Sequence, residues 1–131
     1  MEDYFVKYDH ALALKELGFN ELCIKYQLEG HSSSVKNHRV PGYLEMIKNS
    51  ELDAESVAIP LKYQLFEWFR KTHSIDSHIE RYTSSEDSIE YFYCINSTNF
   101  TSYYFESPNF ESHEEAENGC IDKLIEIIKN K

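Results

Sequence analysis

The alternation of apolar and polar positions divides the chain into short periodic segments. "YDHALALKELGF", residues 8–19, places Ala11, Leu12, Leu14 and Leu17 on one side at helical spacing. Asp9 stands where a side chain would cap this helix, and Gly18 where a left-handed residue would end it. "ELCIKYQLEG", residues 21–30, switches to period two. Leu22, Ile24, Tyr26 and Leu28 fall on one face, with Cys23, Lys25 and Gln27 on the other, which predicts a half-buried strand stopped by Gly30. "HSSSVKNHRVPG", residues 31–42, is polar, locally basic through Lys36 and Arg39, and reads as a loop. Residues 42–59 carry no clear period; a short strand or helical turn followed by an acidic surface stretch is expected there.

The second half is more legible. "PLKYQLFEWFRKTH", residues 60–73, sets Leu61, Leu65, Trp68 and Phe69 along one helical stripe with Phe66 at its margin, and Pro60 suits the first helical position. "SIDSHIERYT", residues 74–83, predicts a strand with Ile75, Ser77 and Ile79 on one face. "SSED" predicts a turn. "SIEYFYCINST", residues 88–98, is the clearest strand, with Ile89, Tyr91, Tyr93 and Ile95 opposite Glu90, Phe92 and Cys94. A turn at "NSTN" returns the chain antiparallel through "FTSYYFES", residues 100–107. In the last segment, residues 112–131, Ser112 and Glu115 have capping-box spacing. Glu114, Glu115 and Glu117 complement the start of that helix and Lys129 and Lys131 its end, while Ala116, Cys120, Leu124, Ile127 and Ile128 supply the buried stripe. The elements predict an α+β fold in one domain, residues 1–131, with 31–59 an irregular insertion. Its order is α-β-(loop)-α-β-β-β-α, a three- or four-stranded antiparallel sheet covered on one face by helices.

Charge narrows the function. The net charge is −10. From Asp76 to Glu117 there are ten acidic residues and one basic residue, Arg81. The tail order α-β-β-β-α is that of the double-stranded-RNA-binding domain, but the segment that would meet phosphates reads "SHEEAENG". Charge of that sign repels a phosphate backbone, so no duplex nucleic acid is expected as a partner. Cys23, Cys94 and Cys120 are widely spaced and read as packed thiols of a reducing, cytoplasmic compartment. The first ten residues lack the basic and apolar regions of a signal peptide, and no apolar run suits a membrane span. The six histidines, His10, His31, His38, His73, His78 and His113, fall in no HExxH or HxH spacing. With no CxxC and no glycine-rich phosphate loop either, no metal, cofactor or catalytic residue is assigned.

Aromatic residues make up 15% of the chain, and eight Phe and Tyr lie between Ser88 and Phe110. A sheet buries only alternate residues against its helices, so several of these rings must face elsewhere. Rings rimmed by carboxylates suit a protein partner. Glu90, Phe92, Tyr103, Phe105, Glu114 and Glu115 are the protein-binding candidates, with a second copy of the chain or a host protein as the partner. The alternative is a small-ligand or nucleotide-binding, enzyme-like domain using the 31–42 loop and the 60–71 helix, through Tyr63, Gln64 and Arg70.

Two stretches, "YFVKYDHALALKELGFNELCIKYQ" and "PLKYQLFEWFRKTHSIDSHIE", with "SHEEAENGCIDKLIEIIKNK" at the end, resemble the uncharacterised small proteins carried by phages and prophages of gut Bacteroidetes bacteria. The matching residues are Leu17, Gly18, Phe19, Pro60, Tyr63, Gln64, Trp68, Phe69, Arg70, Glu114, Glu115 and Ala116; segment 31–56 is not covered. The resemblance implies a phage or mobile-element origin and a setting in the host cytoplasm. It implies no activity. On this reading the protein is a non-enzymatic accessory protein that works by protein–protein binding through its acidic, aromatic-rich surface.

Overall fold

The computed structural model describes residues 4–27, 35–37, 39–40, 43–44, 46–97 and 103–130. They form an α+β fold of helices α1 (Tyr8–Glu16), α2 (Lys62–His73) and α3 (His113–Lys129) with antiparallel strands. The strands are β1 (Lys25–Gln27), β2 (Val35–Asn37), β3 (Arg39–Val40), β4 (Tyr43–Leu44), β5 (Val57–Ala58), β6 (Ile75–Thr83), β7 (Ile89–Ser97) and β8 (Tyr104–Glu106). Among the described residues no helix is long and apolar enough to cross a membrane. The chain divides into two compact units, Met1–Leu65 and Phe66–Lys131.

The first unit packs α1 and the sheet β2-β1-β5 around Ala11, Leu14, Phe19, Cys23 and Val57. Helix α1 ends as expected. Gly18 has φ +96°, its N–H bonds to Lys15 O at 3.1 Å, and the Phe19 N–H reaches back to Leu14 O at 2.9 Å. That is a Schellman cap, and Leu14 and Phe19 bury the hydrophobic contact that accompanies it. The start differs from expectation: Lys7 is the N-cap, without a side-chain bond, and Asp9 lies inside the first turn. The strand phase at 21–30 also differs. Cys23 and Gln27 are buried with Tyr26, while Leu22 is half exposed. Only three residues pair as β1, because the local chain also has to form the bridge between Cys23 and Ile47; alternation over so short a strand does not set the inward face.

The 31–59 stretch contains more regular structure than a loop. β2 pairs with β1, β3 with β4, and β5 with the other edge of β1. Residues 31–34, 38, 41–42 and 45 lie outside the described residues, and with them His31 and His38. One buried amide ties this region together. Asn49 Nδ2 donates to Phe19 O at 2.8 Å, and its Oδ1 accepts from the Ala58 N–H at 2.9 Å. Both polar ends of the side chain are thereby satisfied in the interior.

The second unit is built on the sheet β6-β7-β8 with β7 in the middle. β6 and β7 pair along nine positions, from Ile75↔Ser97 to Thr83↔Ile89, closed by a turn in which Asp87 takes φ +62°. Cys94↔Glu106 to Asn96↔Tyr104 join β7 to β8. The segment after β8 keeps contact with β7 through Ser107 and a bridge of Tyr91 with Phe110. Register advances by one residue between these pairings, a bulge at Pro108 and Asn109.

Helix α3 packs on one face of this sheet, against β7 and β6. Ser112 caps it, Oγ accepting from the Glu115 N–H at 3.1 Å. Its buried residues are Ala116, Cys120, Ile121, Leu124 and Ile125, so the stripe is rotated from the expected one, which named Ile127 and Ile128 in place of Ile121 and Ile125. Five isoleucine and leucine residues crowd 121–128, and spacing alone does not choose between two overlapping stripes. Gly119 lets the helix approach closely: a Cβ there would meet Phe110 Cζ at 2.8 Å, so the ring would have to shift. Pro60 is buried but does not open α2, which begins at Lys62; Leu61, in a bridge with Phe5, is its N-cap.

Gly18→Ala is expected to lower stability to urea by about 1 kcal/mol, since the left-handed backbone penalises a Cβ. No atom stands within 4 Å of that Cβ, so the loss is conformational only and Gly18→Asn recovers part of it. An unchanged midpoint for Gly18→Ala would refute the cap.

Candidate functional site

The register of the second unit assigns each candidate to a face. Residues Ile75, Ser77 and Ile79 of β6, Tyr91, Tyr93 and Ile95 of β7, and Phe105 of β8 share the face that α3 covers. Tyr93 stacks on Phe105 and Phe110 at centroid distances of 5.9 and 6.0 Å, and Lys123 Nζ of α3 lies 4.5 Å above the Phe105 ring. Burial pushes the Tyr93 hydroxyl up to about 12.

The opposite face carries Asp76, His78, Glu80 and Tyr82 of β6, Glu90, Phe92 and Cys94 of β7, and Tyr104 and Glu106 of β8. Tyr82 and Tyr104 are 48% and 63% exposed. The six protein-binding candidates therefore do not form one surface. Glu90 and Phe92 lie on the open face. Phe105 lies on the helix side beneath Lys123, Tyr103 precedes β8, and Glu114 and Glu115 are exposed in the first turn of α3. The sequence pattern grouped them by proximity along the chain, whereas the pleat separates neighbours.

Polar contacts on the open face run among its own residues. The His78 ring Nε2 is 3.3 Å from Glu80 Oε1. Tyr104 Oη donates to Glu106 Oε2 at 3.1 Å and lies 3.5 Å from Cys94 Sγ. These two contacts, the thiol first and then the carboxylate, hold the phenol protonated well above its usual range. Glu90 accepts from Asn109 Nδ2 at 2.9 Å. Among the described residues no lysine or arginine pairs with Glu80, Glu90 or Glu106; Arg70, 3.8 Å from Asp76, is the cation at this edge. Three side chains here, His78, Glu80 and Cys94, each offer a metal-ligating atom within 4.8 Å of the others. No spacing along a single segment marks this set, because the β6–β7 register is what brings its members together. The signal was His78 and Glu80 two apart on one strand, facing a cysteine on the next.

The alternative candidates separate as well. Gln64 Oε1 accepts from the Leu61 N–H at 2.9 Å and its Nε2 donates to Leu22 O at 2.9 Å. The first bond is the return half of a capping box, with glutamine at the third position of α2. Tyr63 is 66% exposed on the same turn, and Arg70 pairs with Asp76. The 31–42 loop that was to complete the set lies largely outside the described residues. None of the three lines the cavity of about 230 Å³ between Phe66, Ser77, His78, Ile79, His113 and Glu117, which is smaller than usual ligand pockets of roughly 300–1,000 Å³.

The three cysteines are free and buried. Burial, with a smaller push from Glu21, raises the Cys23 thiol to about 12; burial likewise raises Cys120 to about 12, against a hydrogen bond with Ser77. Neither is a nucleophile near neutral pH. Comparison with protein-family models, with curated proteins and with solved structures finds no match.

Two outcomes follow from this geometry. Gln64→Ala should destabilise the first unit by about 1–2 kcal/mol, read from a urea midpoint, since two backbone groups lose their partner. Second, Cys23 and Cys120 should resist a disulfide reagent at pH 8 until the chain unfolds. Both pKa values are raised on folding, so the stability tied to them is fully present below the unfolded value of about 9. It declines as pH rises from there toward about 12, at most about 1.4 kcal/mol per pH unit for each thiol. Fast labelling of Cys23 and Cys120 in the folded protein, mapped by mass spectrometry, would contradict this.

Proposed function

We propose that this chain is a non-enzymatic accessory protein of a phage or mobile element, and that it acts by binding a basic host protein through the open face of the β6-β7-β8 sheet. One observation carries the reading: the exposed Tyr82 and Tyr104 rings sit among Glu80, Glu90 and Glu106, carboxylates that no lysine or arginine among the described residues neutralises. Exposed tyrosines supply rigid area and a polar tip, the usual carriers of interface energy. The carboxylates add a field that steers a cationic partner and rejects an anionic one. The same field argues against a second copy of the chain on this face, because two such surfaces would place like charges opposite one another. The phage origin rests on the family resemblance, and the raised thiols support binding over nucleophilic chemistry.

The test is capture from host lysate with quantified variants. Tyr104→Ala and the reversal pair Glu80→Lys with Glu106→Lys should each reduce recovery of the captured protein about tenfold or more. Recovery should also fall as salt is raised through the physiological range. Reversal of Glu114 and Glu115 on α3, away from the face, should change recovery little. Equal recovery with the face variants, or light scattering that shows a dimer dispersed by Tyr104→Ala, would overturn the reading.

A further inference from the structure

The middle of the open sheet face has a composition unlike the rest of it. His78 and Cys94 are direct cross-strand partners, and Glu80 follows His78 at the same-face spacing. Their ligating atoms lie within 4.8 Å of one another, and the imidazole and carboxylate are already at 3.3 Å. Cys94 is only 3% exposed although its register position turns its side chain to the face away from α3. Across the next pairing Cys94 is opposite Glu106, and the Tyr104 hydroxyl reaches the sulfur. The sulfur is thus ringed by an imidazole, two carboxylates and a phenol, and the face holds a buried soft donor under two half-exposed hard or borderline ones.

We infer that His78, Glu80 and Cys94 form a binding site for one divalent zinc ion. The donor chemistry selects the metal. Thiolate with imidazole and carboxylate suits zinc, whereas calcium and magnesium take oxygen alone. Tetrahedral zinc, with bonds of about 2.0–2.3 Å, sets its donors about 3.3–3.8 Å apart. The His78–Glu80 pair meets that spacing now. The remaining donors have to close by about 1 Å, and the two exposed side chains can supply it by rotation. Both sit on paired strands of nine residues, so the Cβ positions are fixed by the ladder. Three protein donors leave the fourth position to water. Tyr104, with its hydroxyl on the sulfur and on Glu106, is placed to orient the thiolate from outside the coordination sphere. On binding, the Cys94 S–H proton passes to solvent and a Zn–S bond takes its place; no electron transfer is involved.

The inference stands apart from the protein-binding reading, since the measurement uses the purified chain alone. Zinc titration by calorimetry should give one site per chain, and cobalt(II) in its place should give a near-ultraviolet thiolate-to-metal band. Cys94→Ser should abolish that band, while Cys23→Ser and Cys120→Ser leave it. His78→Asn, at a half-exposed position, should weaken zinc about tenfold or more. Should Cys94→Ser fail to fold, His78→Asn and the cobalt band of the unaltered protein decide the matter. No band, a band that survives Cys94→Ser, or zinc affinity unchanged in His78→Asn would each overturn the site, while the protein-binding reading fails separately, on capture with Tyr104→Ala, which alters none of the three ligands.

Discussion

The antiparallel register between β6 and β7 is the constraint on which the second unit depends. It holds along nine pairs and is closed by a turn of Ser84 to Ser88, where Ser84 N–H bonds to Ser88 O and the two hydroxyls meet at 2.6 Å. A slip of one residue would exchange the faces. Tyr93 and Ile95 would turn away from α3, and the glutamates of the open face would be driven beneath the helix. Burial of apolar side chains against α3 therefore fixes which carboxylates reach solvent, so the term that stabilises the fold also selects the composition of the open face. Gly119 belongs to this constraint, because the helix approaches closely enough for Phe110 to fill the space that a Cβ would need.

In the first unit the organising feature is the satisfaction of backbone groups by side chains. Short strands leave many N–H and C=O groups without a ladder partner, and buried groups of that kind are costly. Asn49 bridges Phe19 and Ala58, Gln64 bridges Leu61 and Leu22, and Lys15 Nζ reaches the Asp53 and Ser56 carbonyls. Each of these polar residues would pass for a ligand group in the sequence. Each is instead a connection between segments distant along the chain, which explains why the same composition can read as a binding site and serve as a framework.

What was legible in the sequence follows the length of each element. β7 and α3 are long enough for their type and extent to agree with expectation, although the crowded isoleucines of α3 left its inward stripe open. The Schellman end of α1 was legible because Gly18 is the one residue type that serves there without strain. β2 to β5 have two or three residues each, shorter than the window over which alternation means anything, and their pairing is set by contacts across the chain. The inward phase at Cys23 failed for the same reason. The candidate surface failed differently. Proximity in sequence grouped Phe92 with Phe105, but the two belong to paired strands at positions of opposite parity, and parity becomes readable only when the register is known.

The open face raises a question of charge that bears on both functional readings. Binding zinc would release the Cys94 S–H proton and so add a thiolate beside the Glu80 carboxylate. With zinc, the carboxylate and the thiolate together balance the two positive charges of the ion. Loading thus removes one unit of charge from the centre of the face and leaves Glu90 and Glu106 as they were. For the proposed basic partner, metal would therefore weaken the attraction without reversing it, and would tie the cross-strand pair of His78 and Cys94 more firmly. A bound ion at this place would stiffen the surface from which Tyr82 and Tyr104 project, so that less side-chain freedom is lost when a partner docks. Electrostatics and preorganisation then act on the same face in opposite directions, and the register that exposes the tyrosines is what brings the two effects together.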